Sequence, residues 1–198
     1  LLVEKALEGK NVARVKGGDP FIFGRGGEEA QELLKAGVEF EIIPGVSSSY
    51  AAPAYAGIPV THRDFASSFH VITGHESADK TGLALDYATL AKEEGTLVFL
   101  MGLKNLPHIA EELITHGKDP KTPAAVVQAG TTARQQVVTG VLESIAETAK
   151  TAGIQTPAIT VVGDVVTLQR QLSWLGGKAL FGKRVLLTGT KPMCEKQR

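Results

Sequence analysis

Hydrophobic positions in this chain follow two rhythms, and glycines or prolines separate the stretches that carry them. Short apolar or alternating runs at 12–15 (Val-Ala-Arg-Val), 38–43 (Val-Glu-Phe-Glu-Ile-Ile), 69–73, 96–101, 124–128, 135–141 and 158–162 predict strands. Helical spacing predicts helices at 1–7, 28–36, 47–56, 84–94, 105–116, 144–152 and 165–174. In the second of these, Ala30, Leu33 and Leu34 share a face, Glu28 and Glu29 suit the first turn, and Gly37 closes it. Asn105 is placed to cap the fifth, with Pro107 tolerated in its first turn. The strands at 124–128 and 135–141 flank a short connection and predict a hairpin-like antiparallel pair. Strands alternating with helices make this an α/β chain.

The loop at 57–64 (Gly-Ile-Pro-Val-Thr-His-Arg-Asp) separates two such groups, so a domain boundary is placed just after Asp64. Residues 1–64 form the remaining part of a first domain and 65–176 a second. Residues 74–82 are polar and are expected to be a mobile connection. A parallel sheet whose first element is the end of a helix is expected to have lost strands ahead of it. After the Gly176-Gly177 break, 182–189 opens a fresh strand, and 182–198 begins a further domain.

The 198 residues, 43% of them hydrophobic, suffice for one large or two small cores. Lys and Arg number 21, as do Asp and Glu, and this balance gives no bulk attraction to nucleic acid or to an anionic membrane. The longest apolar runs, around 96–103 and 158–166, are each interrupted by a glycine and fall short of a membrane span. The first residues already carry Glu4 and Lys5 and are read as helix rather than leader. A single cysteine, Cys194, forms no internal disulfide and fits a reducing compartment, so a cytoplasmic protein is expected.

Candidate chemistry concentrates at 12–29, Val-Ala-Arg-Val-Lys-Gly-Gly-Asp-Pro-Phe-Ile-Phe-Gly-Arg-Gly-Gly-Glu-Glu. A strand runs into Gly17-Gly18-Asp19-Pro20, where adjacent glycines permit positive φ and close approach of another molecule. Two readings of the turn stand side by side: a tight strand-to-helix loop, or a small-molecule site at a strand end. The spacing is neither G-x-G-x-x-G nor a Walker A motif. Ser47-Ser48-Ser49 either cap a helix or hold a polar ligand with the same groups. Ile22 and Met101 suit core packing as well as ligand contact. Arg14, inside an apolar run, must point out of the core or find a partner. His70 and His75 have no ligand-spaced companions, so no metal is expected, and no G-x-S-x-G elbow supports hydrolysis.

Gly-Gly-Asp-Pro-Phe-Ile-Phe-Gly-Arg-Gly at 17–26 and Gly-Ile-Pro-Val-Thr-His-Arg-Asp at 57–64, with Pro-Gly-Val-Ser-Ser-Ser at 44–49, resemble the tetrapyrrole methylase family. Within it they look most like the uroporphyrinogen-III C-methyltransferases, over about 2–174. The resemblance implies two αβα domains with the cofactor cleft between them and a mixed sheet in the second. It implies two-step methylation of uroporphyrinogen III to precorrin-2 with S-adenosylmethionine, leaving S-adenosylhomocysteine, on the way to sirohaem or cobalamin. A later precorrin methyltransferase and a folded domain without turnover are the alternatives. By residue correspondence the cofactor contacts would be Gly17, Gly18, Asp19, Ile22, Ser47, Ser48, Met101, Gly130 and Ala158. Arg14 matches an arginine near the family's active site, where a polycarboxylate substrate needs cations; Arg25, His62 and Arg63 are further candidates. The family's Gly-x-Gly-Pro-Gly-Asp loop and its proton-transfer aspartate and lysine have no match here, so these are expected to lie before Leu1. The isolated chain is accordingly expected to bind cofactor weakly at best and not to methylate uroporphyrinogen III by itself. A small-molecule tetrapyrrole is the expected partner, with a homodimer in the full-length enzyme. The stretch 182–189 resembles the opening strand of uroporphyrinogen-III synthase.

Overall fold

The structure, a computed structural model, describes residues 1–74, 85–183, 185–186 and 188–189. Its frame is one mixed five-stranded sheet in the order β1-β2-β5-β3-β4. The strands are β1 (Phe69–Thr73), β2 (Thr96–Leu100), β3 (Pro123–Gln128), β4 (Gln136–Val141) and β5 (Ala158–Val162), close to the positions their apolar runs predict. β1 pairs with β2 in parallel, while β5 runs antiparallel to both β2 and β3. The expected hairpin between β3 and β4 is present, with Val126 opposite Val138.

β2 is buried at all five positions, which explains why Thr96-Leu97-Val98-Phe99-Leu100 is continuously apolar after its first residue rather than alternating. Leu97, Phe99, Ala124, Val126 and Val162 pack on one face against Leu106, Ile109 and Leu113 of helix α5 (Leu106–Thr115) and Ile145 and Ala149 of α6 (Ile145–Thr151). Val98, Leu100, Ala125, Val127, Ile159 and Val161 face the other way, onto Ala52 and Ala56 of α3 (Ser48–Ala56) and onto Ile58. Helix α3 precedes the boundary expected at Asp64, yet its small residues are packed into the core of the sheet.

The amino-terminal part differs from expectation. Helices α1 (Leu2–Leu7) and α2 (Gly26–Lys35) form, the latter starting at Gly26 rather than Glu28 because Arg25 turns into the left-handed region ahead of it. The runs 12–15 and 38–43 are in no strand. An extended segment becomes a strand only when a neighbour supplies ladder partners. Among the described residues nothing pairs with either run, and Val15 and Ile43 stay 82% and 73% exposed.

Further along, the 84–94 stretch yields a single helical turn, α4 (Tyr87–Leu90), capped by the Asp86 carboxylate on the Thr89 amide at 3.0 Å. Residues 75–84, most of the expected 74–82 connection and His75 among them, lie outside the described residues. Asn105 stands at the start of α5 but does not cap it; its Nδ2 donates to the Gly74 carbonyl at 2.8 Å. The 165–174 helix is broken into a 3-10 turn, Asp164–Leu168, and a short α7 (Gln169–Leu172). Val165, Val166 and Thr167 are β-branched, which lowers the propensity for a continuous α-helix there. Of the strand expected at 182–189, Arg184 and Leu187 lie outside the described residues, and the described positions around them are in no strand.

Candidate functional site

Gly18 takes φ +79°, a left-handed setting that glycine adopts without steric cost. Facing it is Gly45, where a Cβ would stand 2.2 Å from the Gly18 carbonyl oxygen. The two loops therefore touch backbone to backbone. Asp19 fastens them: its Oδ2 accepts from the Gly45 amide at 2.9 Å and its Oδ1 from the Phe21 amide at 2.8 Å. These bonds, Gly45 first and Phe21 next, hold the Asp19 carboxyl below the ordinary aspartate range despite partial desolvation. Gly24 and Gly26 serve geometry, since a Cβ on either would lie 2.5 Å from the Pro20 carbonyl oxygen. Gly17 has open space around its Cα.

The Gly45 loop leads directly into α3. Ser47 is buried and its Oγ accepts from the Ser49 amide at 3.2 Å, so this hydroxyl caps the helix; Ser48 beside it is exposed. The far end of α3 is fixed by side chains that donate to its last carbonyls. Trp174 Nε1 reaches Ala54 O at 3.3 Å and Gln169 Nε2 reaches Ala56 O at 3.3 Å. Gln135 Nε2 donates to Tyr55 O at 3.0 Å while its Oε1 accepts from the Thr131 amide at 2.9 Å. Gln135 thus ties α3 to the loop that follows β3.

That loop belongs to one edge of the sheet. β2 and β3 run in the same direction, each antiparallel to β5 between them, so β2 and β3 end where β5 begins. Leu100 pairs with Ile159 and Gln128 with Ala158, which places Met101, Gly130 and Ala158 together at this edge. Met101, Ala129 and Thr131 all take positive φ here, at 57°, 46° and 70°. Left-handed residues other than glycine cost free energy and concentrate at ligand-handling loops. Gly130 lies directly beneath α3, next to Ala52.

The structure therefore gathers the candidate residues into two groups, joined by α3. Gly17, Gly18, Asp19 and Ser48 lie at its amino end, and Met101, Gly130 and Ala158 at the strand ends below. Apolar surface borders both: Phe21, Ile22, Val46 and Met101 are 56%, 38%, 66% and 55% exposed. Ile22 and Met101 are accordingly not core residues. Gly45 and Gln135 were not legible as site residues: Pro44-Gly45 reads only as a strand break, and Gln135 as a strand start.

Arg14 stands apart from these groups. Half-exposed, it both points outward and pairs, with Nε 3.2 Å from Glu29 Oε1; Lys16 Nζ, far more buried, takes Glu29 Oε2 at 2.6 Å. Lys16 first, and Arg14 after it, hold the Glu29 carboxyl below its ordinary value. This triad borders a cavity of about 1240 Å³ that also contacts α1, α2 and the extended run 38–43. This cavity thus adjoins Arg14 but none of the candidate cofactor contacts. Arg25 pairs with Glu28 at 3.4 Å, and His62 Nδ1 accepts from the Asp64 amide at 3.2 Å. Among the described residues no group of three or more His, Cys, Asp or Glu is placed to hold a metal ion, and no helix is long and apolar enough to cross a membrane.

Residues 1–146 match the family described as Tetrapyrrole (Corrin/Porphyrin) Methylases. The chain is 56% identical over 168 residues to an S-adenosyl-L-methionine-dependent uroporphyrinogen III methyltransferase of Methanosarcina barkeri, covering 85% of this chain and 66% of that protein. It is 51% identical to the uroporphyrinogen-III C-methyltransferase of Bacillus subtilis, covering 94% of this chain and 38% of that one. The chain thus spans at most about two thirds of these relatives. A crystal structure of Thermus thermophilus uroporphyrin-III C-methyl transferase complexed with S-adenyl homocysteine superposes with a TM-score of 0.71 at 37% identity, covering 84% of this chain and 72% of that chain.

Proposed function

The chain belongs to the tetrapyrrole methylase family, and we propose that it serves the S-adenosylmethionine-dependent C-methylation of uroporphyrinogen III to precorrin-2, toward sirohaem or cobalamin. The observation that carries the proposal is that one helix, α3, joins the Gly18–Gly45 contact at its start to Gly130 beneath it, beside the left-handed residues Met101, Ala129 and Thr131 at the strand ends. The exposed apolar surface of Ile22 and Met101 fits an adenosine, and the open Cα of Gly17 admits a ligand against the backbone.

When bound, S-adenosylmethionine would supply a methyl group on a sulfonium, already electrophilic enough for an electron-rich pyrrole carbon. The protein's task is then alignment rather than covalent help. Gly17, Gly18 and Asp19 would line the methionine part through their backbone, with Ser47 and Ser48 at the start of α3 beside them. Ile22, Met101, Gly130 and Ala158 would cover the adenosine and keep water from it. Arg14 would meet substrate carboxylates, a role supported by its half-exposed guanidinium at the edge of the large cavity. The same reading places the protein in the cytoplasm as a homodimer, supported by its balanced charge and single cysteine for the first and by the resemblance alone for the second.

The test is titration of the chain with S-adenosylhomocysteine, followed by incubation with uroporphyrinogen III and S-adenosylmethionine and the absorbance of oxidised precorrin-2. Binding with methylation supports the proposal. Absence of S-adenosylhomocysteine binding overturns the cofactor assignment.

A further inference from the structure

We propose that Asp19 is a positioning residue whose side chain, rather than touching the cofactor, sets the spacing between the Gly17–Gly18 turn and the loop that starts α3. The inference rests on the cofactor role proposed for that turn. Three observations carry it. The two carboxylate oxygens are divided between two loops, Oδ2 on the Gly45 amide and Oδ1 on the Phe21 amide. Gly45 is pressed so closely on the Gly18 carbonyl that no side chain fits between them. Gly45 then leads within two residues to Ser47, the cap of α3, and α3 is held at its other end by Trp174, Gln169 and Gln135. The carboxylate is thus a side-chain link between a loop whose position is fixed by the sheet and a glycine turn that follows the run 10–16, which joins no strand.

A carboxylate suits the task because charge-assisted bonds to amides are short and directional. Asparagine has one carbonyl oxygen and an amino group in place of the second acceptor, so it retains one of the two bonds. Alanine retains neither. Loosening this contact would let Gly18 drift from α3, and both must grip the same ligand.

The test uses the full chain, with Asp19→Ala and Asp19→Asn compared against wild type by circular dichroism to establish folding. Two quantities are then read: hydrogen exchange at the Gly45 and Phe21 amides in the ligand-free protein, and affinity for S-adenosylhomocysteine. Alanine is expected to speed exchange at both amides and to weaken binding by about tenfold or more, with asparagine intermediate. Unchanged exchange overturns the latch whatever happens to affinity. Faster exchange with unchanged affinity overturns the positioning role. Weaker binding without faster exchange makes Asp19 a direct contact and likewise overturns it. If wild type itself does not bind S-adenosylhomocysteine while exchange still accelerates in the variants, the methyltransferase proposal fails and the latch stands.

Discussion

Gly130 and Ala52 meet with no room for another atom: a Cβ built on Gly130 would lie 2.4 Å from the Ala52 Cβ and 3.0 Å from its Cα. The second contact is backbone, so α3 itself would have to move. Gly130→Ala is therefore expected to destabilise the fold by about 1–3 kcal/mol, the usual cost of overpacking a close contact. Denaturant unfolding would read the loss. Because α3 carries Ser47 and Ser48, the same variant should also weaken S-adenosylhomocysteine binding. A variant as stable as wild type would mean that this contact is looser than the geometry requires.

The glycines of the first loop separate space from conformation. Gly17 has ordinary φ and nothing within 4 Å of an added Cβ, whereas a Cβ on Gly45 would stand 2.2 Å from the Gly18 carbonyl oxygen. Gly17→Ala is expected to leave stability within about 0.5 kcal/mol of wild type. Gly45→Ala is expected to lower it, because only backbone can yield. If the cofactor lies against the turn, Gly17→Ala nevertheless weakens S-adenosylhomocysteine binding. Paired thermal and calorimetric titrations distinguish the two effects, and full affinity in Gly17→Ala would take the ligand away from this turn.

The residues explain why some of this was legible in the sequence and some not. The strands of the sheet announce themselves because Leu97 to Leu100 and Val161 to Val162 bury apolar side chains whatever lies beyond them. The runs 12–15 and 38–43 have the same local pattern, yet a strand is a pairing, and their partners are not encoded within them. Met101 reads as the last residue of a buried strand. Nothing in that pattern marks its left-handed turn, which sits beside a contact between distant positions: a Cβ on Gly74 would stand 2.4 Å from the Cα of the next residue, Gly102. The motif singled out Asp19 as a candidate, but the use of its carboxylate on Gly45 spans 26 positions and depends on the fold.

Arg14 and Lys16 share Glu29 unequally. Lys16 is the more buried partner, with Nζ at 2.6 Å from one oxygen, whereas Arg14 is half-exposed and 3.2 Å from the other. Arg14→Ala leaves the Lys16–Glu29 pair in place, so stability should change by no more than about 0.5 kcal/mol. Affinity for S-adenosylhomocysteine should hold as well. Under the proposed function, the loss falls on precorrin-2 formation, through a raised KM for the polycarboxylate substrate. Equal loss of cofactor binding and turnover, or of neither, would make Arg14 a structural residue.

Acid should undo the Asp19 link in a defined direction. Hydrogen bonds from Gly45, then from Phe21, favour the ionised carboxylate, so the folded pKa lies below that of the unfolded chain. A group shifted downward contributes fully at pH values above its unfolded pKa, and that contribution is lost as pH falls through the folded value. Protonation of the folded carboxylate breaks the link, so S-adenosylhomocysteine affinity is expected to be flat from neutrality to about pH 4 and to decline only below that, as pH falls through the folded value. Glu29 is also shifted downward, chiefly by Lys16, and adds an acid limb of the same sign to stability but not to affinity. Two variants separate the contributions. Asp19→Asn removes the titrating group, so its affinity begins lower at neutral pH and changes less with acid. Glu29→Gln should keep the wild-type decline in affinity, because Glu29 lines the large cavity and none of the proposed cofactor contacts does. Titrations across this range with all three proteins, each shown to be folded at every pH, decide the matter. An acid decline that survives intact in Asp19→Asn would assign it to some other group.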